Sequence, residues 1–464
     1  MLLRYIFILG SNWRLSLAEI NHVLKRREYK GKIIDYSACA AIVEFDKGEL
    51  SERAISQLQF MLGGTQKICR ALDFIQYETF KEAFPEEILE EVHPGVMLDA
   101  RERIRGFLVD VTYPIFGRIK SNVKYFVANS VYPTEFRSEY YKILVKHFIP
   151  FLNKFWVAHL KEKGAKSAIY YRYPQELIQS GSLNPIFPHH FMKYELYLPH
   201  RKEIVYTFTD GGMYIGFTLN VSNSNEMKMI DEERPYINMK ASIPPKFAKV
   251  MINLLNLNRP FSTMKILDPF CGSGTILMFA YILGIKPFGG DNDQEKVEGT
   301  RRNINWLKQF LERPTKIDVN QTIKSMKISE ISQFFEEKKF DGIVTEPILL
   351  PFYTELPMYD EVVTHIKHHV MPTYADLFKE GKKVLKKGTR MCLTAPSVMS
   401  LDGGRVSIDI DDMAKEFGYK RINIIDVRDF PQSTNQNLQL REGRETVYDE
   451  NSKIISREFY LFEI

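Results

Sequence analysis

Along the chain, short apolar runs of alternating character give way repeatedly to stretches whose apolar positions recur every three to four residues, the pattern of strands and helices in succession. Near the amino terminus RYIFILG reads as a strand, SLAEINHVLKRR as a helix with Ser16 as N-cap and Glu19 three residues on, and CAAIVEF as a strand. GGTQKICRALDFI and VKYFVANSVYP continue the strands, followed by a long helical segment, SEYYKILVKHFIPFLNKFWVAHLKEKG, interrupted near Pro150. SAIYYRYP, YELYLPH, EIVYTFT and MYIGFTL read as strands again. The sequence NSNEMKMIDEE, from Asn223 to Glu233, is polar and loses periodicity, which places a linker at residues 222–236.

Beyond it the pattern changes. KILDPFCGSGTILMFAYILG predicts a strand, a Gly-containing turn and an apolar helix beginning near Thr275. FGGDNDQEKVEGTRRNINWL predicts a second strand ending at Asp291 and another helix; TKIDV reads as strand three, RMCLTA as strand five and SREFYLFEI as the last. Between them FDGIVTEPILLPFY is an apolar run closed by Glu-Pro, a fourth strand that delivers Glu346 to its carboxyl end. Strands alternating with helices imply an α/β, doubly wound sheet, whose ligands bind outside the carboxyl ends of the strands.

Composition bounds the answer without naming it. At 464 residues the chain exceeds what one core usually organises, and 44% hydrophobic with 26% charged residues is ordinary globular composition. The net charge of +5 is too weak to imply nucleic acid alone, though it is compatible with a local basic surface. Cys39, Cys69, Cys271 and Cys392 lack paired short spacings, so neither a metal cluster nor a disulfide framework is expected, and reduced cytoplasmic thiols are the simplest reading. The start MLLRYIFILGSNWR lacks a small-residue cleavage pattern and reads as a strand rather than a signal peptide; no run reaches transmembrane length, so no membrane partner is expected.

The Gly turn is the first candidate for chemistry. Gly272 and Gly274 allow positive φ and close approach of a ligand, and the helix that follows offers free N–H groups. The turn lacks the Lys-Ser/Thr ending of a phosphate loop and the usual dinucleotide fingerprint, so S-adenosylmethionine fits better than a nucleoside triphosphate or NAD. Asp291, about twenty residues on, stands where a carboxylate holds ribose hydroxyls, although Asp291 and Asp293 would also serve as helix N-caps. Cys271, without a His or second Cys nearby in sequence, packs rather than reacts.

These residues carry a family resemblance. LDPFCGSGTIL, GGDNDQEKVEGTRRNINWL and FDGIVTEP occur in the order and spacing of the amino-methyltransferases that modify RNA, and RPYINMKASIPPKFAKVMINLL resembles the segment before their first strand. The chain is most similar to the THUMP-domain tRNA guanine-N2 methyltransferases: RYIFILGSNWRLSLAEI resembles the opening of a ferredoxin-like domain, LGGTQKICRA the start of THUMP and MYIGFTL its closing strand. The resemblance implies a ferredoxin-like domain at 1–65, a THUMP-like RNA-binding domain at 66–221 and a class I, Rossmann-like methyltransferase domain at 237–464. It also implies S-adenosylmethionine contacts at Asp268, Gly272, Gly274 and Asp291, with Phe270 and Thr275 in the same turn, and a tRNA guanine amine as methyl acceptor. The small zinc-ribbon activator of eukaryotic relatives comes in by the same route. Asp268 would accept from the cofactor's ammonium, and Glu346 with Pro347 would present the acceptor amine, accepting its N–H bonds.

Two departures from that family stand out. Where Asp-Pro-Pro-Tyr is usual, this chain has Glu346, Pro347, Ile348 and Leu349; the extra methylene displaces the carboxylate by about an ångström, a distance that matters to in-line transfer. The stacking Tyr is absent, with Phe352 or Tyr353 as candidate substitutes. After strand three, relatives carry an acidic residue toward the adenine and this chain has VNQT, leaving Asn320 or Gln321 as candidates. KILVKHF, HLKEKGAK and PHRKEIV are basic segments with aromatic neighbours that could track RNA phosphates or simply be solvated. The expected activity is methylation of a guanine N2 in tRNA or another structured RNA. The alternatives are a catalytically inactive RNA-binding protein on the same scaffold and a methyltransferase acting on DNA or protein.

Overall fold

The computed structural model describes residues 3–85, 94–135, 141–172, 186–237, 242–255, 257, 260–312, 317–347, 350–351, 353–448 and 454–464. They form two sheets. The first has the order β2-β3-β1-β4-β8-β7-β5-β6, from β1 (Arg4–Leu9), β2 (Gly31–Tyr36), β3 (Ala40–Phe45), β4 (Thr65–Gln76), β5 (Lys124–Tyr132), β6 (Ser167–Tyr170), β7 (Arg201–Phe208) and β8 (Gly212–Val221).

With the helices Trp13–Leu24 and Glu52–Met61, β1 to β4 follow the chain order of a split βαβ unit. Side chains alternate across β1: Tyr5, Phe7 and Leu9 join the core beneath the helices, while Ile6 and Ile8 enter a second cluster on the other face. The sequence pattern misses β2 because Ile33 and Ile34 are adjacent and the register slips between Ile33 and Asp35, which erases the alternation. Ser16 is no N-cap. It lies inside the first helix with its hydroxyl donating to the Asn12 carbonyl, and Glu19 is buried across an interface instead.

β4 pairs with β1 along one edge and β8 along the other, so the sheet runs without a break across the 65/66 boundary read from sequence. On its far side β5 is parallel to both β6 and β7, above a core that includes Phe80, Phe148, Trp156 and Phe208. The long helix through Pro150 continues past it. A π turn at Leu144–Phe148, in which the Ile149 N–H bonds the Leu144 carbonyl, widens the helix just where proline cannot donate, and Ile366–Val370 does the same before Pro372. YELYLPH, expected as a strand, is a run of turns in which Glu195 adopts φ 52° and Leu196 is buried. The stretch expected to be a linker holds the helix Ser224–Glu232: Asn223 caps it by accepting from the Glu226 N–H, and Ile230 is buried in the core.

The second sheet has the order β11-β10-β9-β12-β13-β17-β15, with β14 on β13 and β16 on β17. Its strands are β9 (Lys265–Asp268), β10 (Lys286–Asp291), β11 (Ile323–Ser325), β12 (Phe340–Thr345), β13 (Leu385–Met399), β14 (Arg405–Ser407), β15 (Lys420–Arg421), β16 (Glu445–Tyr448) and β17 (Ile455–Glu463). β11, β10, β9, β12 and β13 are parallel neighbours and β17 is antiparallel to β13, so the strand order reverses between β9 and β12. That is the topological switch point of a doubly wound sheet. Of TKIDV, expected as strand three, Thr315 and Lys316 lie outside the described residues, and 317–319 is not strand. Asp318 accepts from the Asn320 N–H and starts a helical turn, Val319–Thr322, and the strand follows as Ile323–Ser325, too short to show a period.

The two sheets are bound together through helices. Trp13–Leu24 packs on Pro245–Leu254 within one continuous core. Glu19 reaches into the seam, accepting from the Gly63 and Gly64 N–H groups at 2.8 Å each and from Asn253 Nδ2 at 2.7 Å. Asp210, in the turn after β7, accepts from the Thr434 N–H at 3.0 Å, so the carboxyl-terminal region also reaches back to the first sheet. Among the described residues no helix is long and apolar enough to cross a membrane.

Candidate functional site

The switch point assembles the site. β9 ends at Asp268, and the chain turns through Phe270, Cys271, Gly272, Ser273 and Gly274 into the helix Thr275–Ile282. Gly272 has φ 51° and Gly274 φ 83°, both in the left-handed region. The space above Gly272 is open, since a Cβ there would meet nothing nearer than the Phe270 carbonyl at 3.9 Å; at Gly274 it would strike Thr300 Cγ2 at 2.7 Å. Thr300 Oγ1 donates to the Gly272 carbonyl at 2.8 Å and Asn303 Nδ2 to the Ser273 carbonyl at 2.8 Å, so the following helix, Gln294–Phe310, holds the turn from beneath.

Asp291, at the end of β10, closes the other side. Its carboxylate accepts from the Gly272 N–H at 3.0 Å and the Asp293 N–H at 3.1 Å, with Lys296 Nζ 3.8 Å away. The residue therefore stitches β10 to the Gly turn, while Asp293 takes the N-cap of the next helix. Asp268 is buried, and its Oδ1 accepts from Thr345 Oγ1 at 2.6 Å and from the Phe270 N–H at 3.2 Å. Burial, with a smaller contribution from the charges of Asp291 and Glu346, pushes the Asp268 carboxyl up to about 7. Thr275 is buried and its hydroxyl accepts from Arg234 Nη1 at 2.7 Å, while Arg234 Nη2 donates to Ser242 at 2.9 Å. Cys271 is buried and burial raises its thiol, in keeping with a packing role.

Glu346 follows β12 directly, at the carboxyl end of the sheet, with Pro347 buried behind it. Its carboxylate is held in a two-point ion pair: Arg457 Nε donates to Oε2 at 2.8 Å and Nη2 to Oε1 at 3.1 Å. Ile348, Leu349 and Phe352, singled out in the sequence, lie outside the described residues. Tyr353 is half-buried against the core around β12, as are Phe270 and Leu350.

The fold thus brings Asp268, Phe270, Gly272, Gly274, Thr275, Asp291, Glu346 and Pro347 to one end of the sheet. Asn320 stands apart. It is exposed in the turn before β11, at the strand's amino end, whereas β11 lies beside Asp291 through Ser325. Sequence reasoning also passed over Thr345, Arg234 and Arg457, whose partners are 77, 41 and 111 positions away and which no local motif marks.

A glycine cradle open to one side, a carboxylate on the neighbouring strand and a carboxyl group at the switch point suit a cofactor with a ribose and a cationic amino-acid end. The class this fold and site define is the doubly wound, Rossmann-like domain. Residues 233–401 match the UPF0020 family model, described as an RMKL-like methyltransferase domain. Similar curated proteins include a tRNA (guanine(10)-N2)-dimethyltransferase of Pyrococcus abyssi, 27% identical over 159 residues, which are 33% of this chain and 43% of that protein. Another of the same name, from Methanothermobacter thermautotrophicus, is 28% identical over 170 residues, 37% of this chain and 43% of its own length. The matched stretch thus spans less than half of each of these relatives. Among solved structures, TrmN from Thermus thermophilus aligns over 100% of this chain and 99% of its own, with a TM-score of 0.48 and 12% identity.

Proposed function

We propose that this protein is an S-adenosylmethionine-dependent RNA methyltransferase acting on the exocyclic N2 amine of a guanine in tRNA. The observation that carries the reading is the meeting, at one switch point, of the open Gly turn, Asp268 and Asp291 with Glu346 at the end of β12. The similarity of residues 233–401 to a methyltransferase domain supports it.

When bound, S-adenosylmethionine supplies an electrophilic methyl group. The turn and Asp291 would hold its nucleoside end and Asp268, ionised, would accept from its ammonium. Glu346 would accept an N–H of the target amine, drawing its nitrogen along the line of attack, where placement of the reacting atoms supplies most of the rate; as the N–C bond forms and the S–C bond breaks, the thioether S-adenosylhomocysteine would leave and the amine's proton would pass by way of Glu346 to solvent. The first sheet would carry the RNA. Exposed Lys142, Lys146, Lys154, Lys161, Lys163 and Lys166 on and after the helix through Pro150 support phosphate contact, and a cytoplasmic location fits such a substrate. The zinc-ribbon activator rests on the family resemblance alone and is tested by adding such a protein to the assay.

The experiment is incubation of the full chain with methyl-labelled cofactor and total tRNA, then nucleoside analysis. Label in N2-methylated guanosine is expected. Cofactor binding without transfer to any RNA would leave the inactive RNA-binding reading, and absence of cofactor binding would remove the enzyme reading altogether.

A further inference from the structure

The pairing of Glu346 with Arg457 is a feature that the strand-four motif does not contain. Arg457 sits on β17 opposite Pro396 of β13, and β13 lies between β17 and β12. Its guanidinium therefore passes over the carboxyl end of β13 to reach Glu346, and the side chains of the pair are 6% and 9% exposed. Two parallel N–H bonds from one planar fork fix the torsion angles of the glutamate and also the plane of its carboxylate.

As a contribution to stability such a pair is weakly motivated. Desolvating both charges costs about what their attraction returns, and an apolar pair of similar volume is often at least as stable. The location gives it another use. A glutamate has one more rotatable bond than the aspartate usual at this position, so unrestrained it would spread its oxygens over several rotamers at the point where the acceptor amine must be placed.

Resting on the methyl-transfer reading above, we propose that Arg457 is the positioning residue of the acceptor site. It holds Glu346 in one rotamer and one plane, taking one lone pair on each oxygen and leaving the others to face the target amine. The longer acid and the arginine then work as a unit that replaces the shorter acid.

The test uses the full chain with labelled cofactor and total tRNA. Arg457→Lys keeps the charge and loses the fork; Arg457→Ala removes both. Both variants are expected to bind S-adenosylmethionine, measured by calorimetry, within about twofold of the wild type, and to keep KM for RNA, while kcat falls about 100-fold, the effect of an ångström-scale misplacement. Millimolar guanidinium is expected to restore about tenfold of kcat to Arg457→Ala and nothing to Glu346→Ala, because only the former keeps the carboxylate that the cation positions. If Arg457→Ala does not fold, Arg457→Lys carries the test through its split of kcat from KM. Wild-type kcat in the variants, or a loss that tracks a lowered Tm and ignores guanidinium, would overturn the role of Arg457 alone. A wild type that binds cofactor and transfers to no RNA would overturn the methyl-transfer reading and this inference with it.

Discussion

Thr345 donates its hydroxyl to Asp268 across 2.6 Å, joining the last residue of β12 to the last residue of β9 at the point where the strand order reverses. Burial holds the Asp268 carboxyl up to about 7 against that bond and the Phe270 N–H, both of which favour the ionised form. A cationic ligand group binds the ionised form only. Affinity for S-adenosylmethionine is therefore expected to approach a tenfold fall per pH unit below about 7, with the best binding between there and about 8, where the cofactor's own ammonium titrates. Calorimetry between about pH 6 and pH 8 checks this, with proton release on binding near neutrality as the accompanying signal. Thr345→Val removes one of the bonds that favour ionisation and moves the break to higher pH.

Glu346→Ala is expected to abolish transfer, lowering kcat by at least about 100-fold, while S-adenosylmethionine binds as before. The same substitution takes the two-point ion pair from the buried Arg457 guanidinium, which costs stability as well as activity. Activity must therefore be measured below the variant's own melting transition. Glu346→Gln, which keeps the shape and an acceptor oxygen, separates the two effects: a folded variant that transfers at the wild-type rate would show that the carboxylate charge is dispensable.

What could be read from the chain beforehand follows from how local each signal is. The Gly turn, Asp291 and Glu346 are legible because each is a short sequence event at a strand end, and position relative to a strand is itself encoded by an apolar run. β2 and β11 escape because a slip of register or a length of three residues leaves no period to detect. The helix Ser224–Glu232 escapes for a different reason: its outer positions are acidic and amidic, and what commits it to helix is the cap at Asn223 together with the burial of Ile230. Arg457 is the clearest case. Its role exists only once β17 lies two strands from β12, a fact of topology with no trace near residue 457.

Gly274→Ala tests the cradle without touching a charge. Residue 274 must sit at φ 83°, and a methyl group there would meet Thr300 Cγ2 at 2.7 Å. The left-handed conformation alone costs a non-glycine residue about 1 to 2 kcal/mol, and the clash adds to it by pushing Thr300 off the Gly272 carbonyl. Urea denaturation is expected to show that loss, and cofactor affinity to fall with it. Gly284→Ala makes a control, for it too has positive φ, 86°, but open space where the Cβ would lie, and it stands at the other end of the helix.

Glu19 is expected to decide whether the two sheets unfold together. Its carboxylate satisfies the part-buried Gly63 and Gly64 N–H groups and buried Asn253 within the seam; Glu19→Ala takes that acceptor from all three, Asn253 keeping its bond to the Met61 carbonyl, at about 1 kcal/mol for each lost bond. The Asn253 bond crosses between the halves, and the Gly63 and Gly64 bonds, within the first half, hold the turn that abuts Lys246 and Lys249 of the second, so the loss falls largely on that contact. Urea unfolding followed by fluorescence and by circular dichroism is therefore expected to separate into two transitions in the variant, and coincident curves would refute the coupling.

His22 makes the same seam sensitive to acid. Its Nδ1 faces Arg390 Nη1 at 3.3 Å and its Nε2 the Ile424 carbonyl at 3.2 Å, so the neutral ring accepts from the arginine and donates to the carbonyl. Burial, then the charges of Arg390 and Lys25, lower its pKa from 6.5 to about 3. With the folded value below the unfolded one, the unfolded chain binds the extra proton between those limits. The contribution of His22 is fully present above about 6.5 and is lost at about 1.4 kcal/mol per pH unit as pH falls. Asp268 works the other way, because its folded value lies above its unfolded one and stability declines as pH rises toward about 7. The total slope of the wild type is thus a difference of opposed terms, and the informative quantity is the change in slope. His22→Gln, which keeps a donor and an acceptor but cannot titrate, is expected to be less sensitive than the wild type to acidification from about pH 6.5 to about pH 5, measured by urea denaturation. Parallel slopes for the two proteins would show that the ring titrates freely and that the seam tolerates its charge.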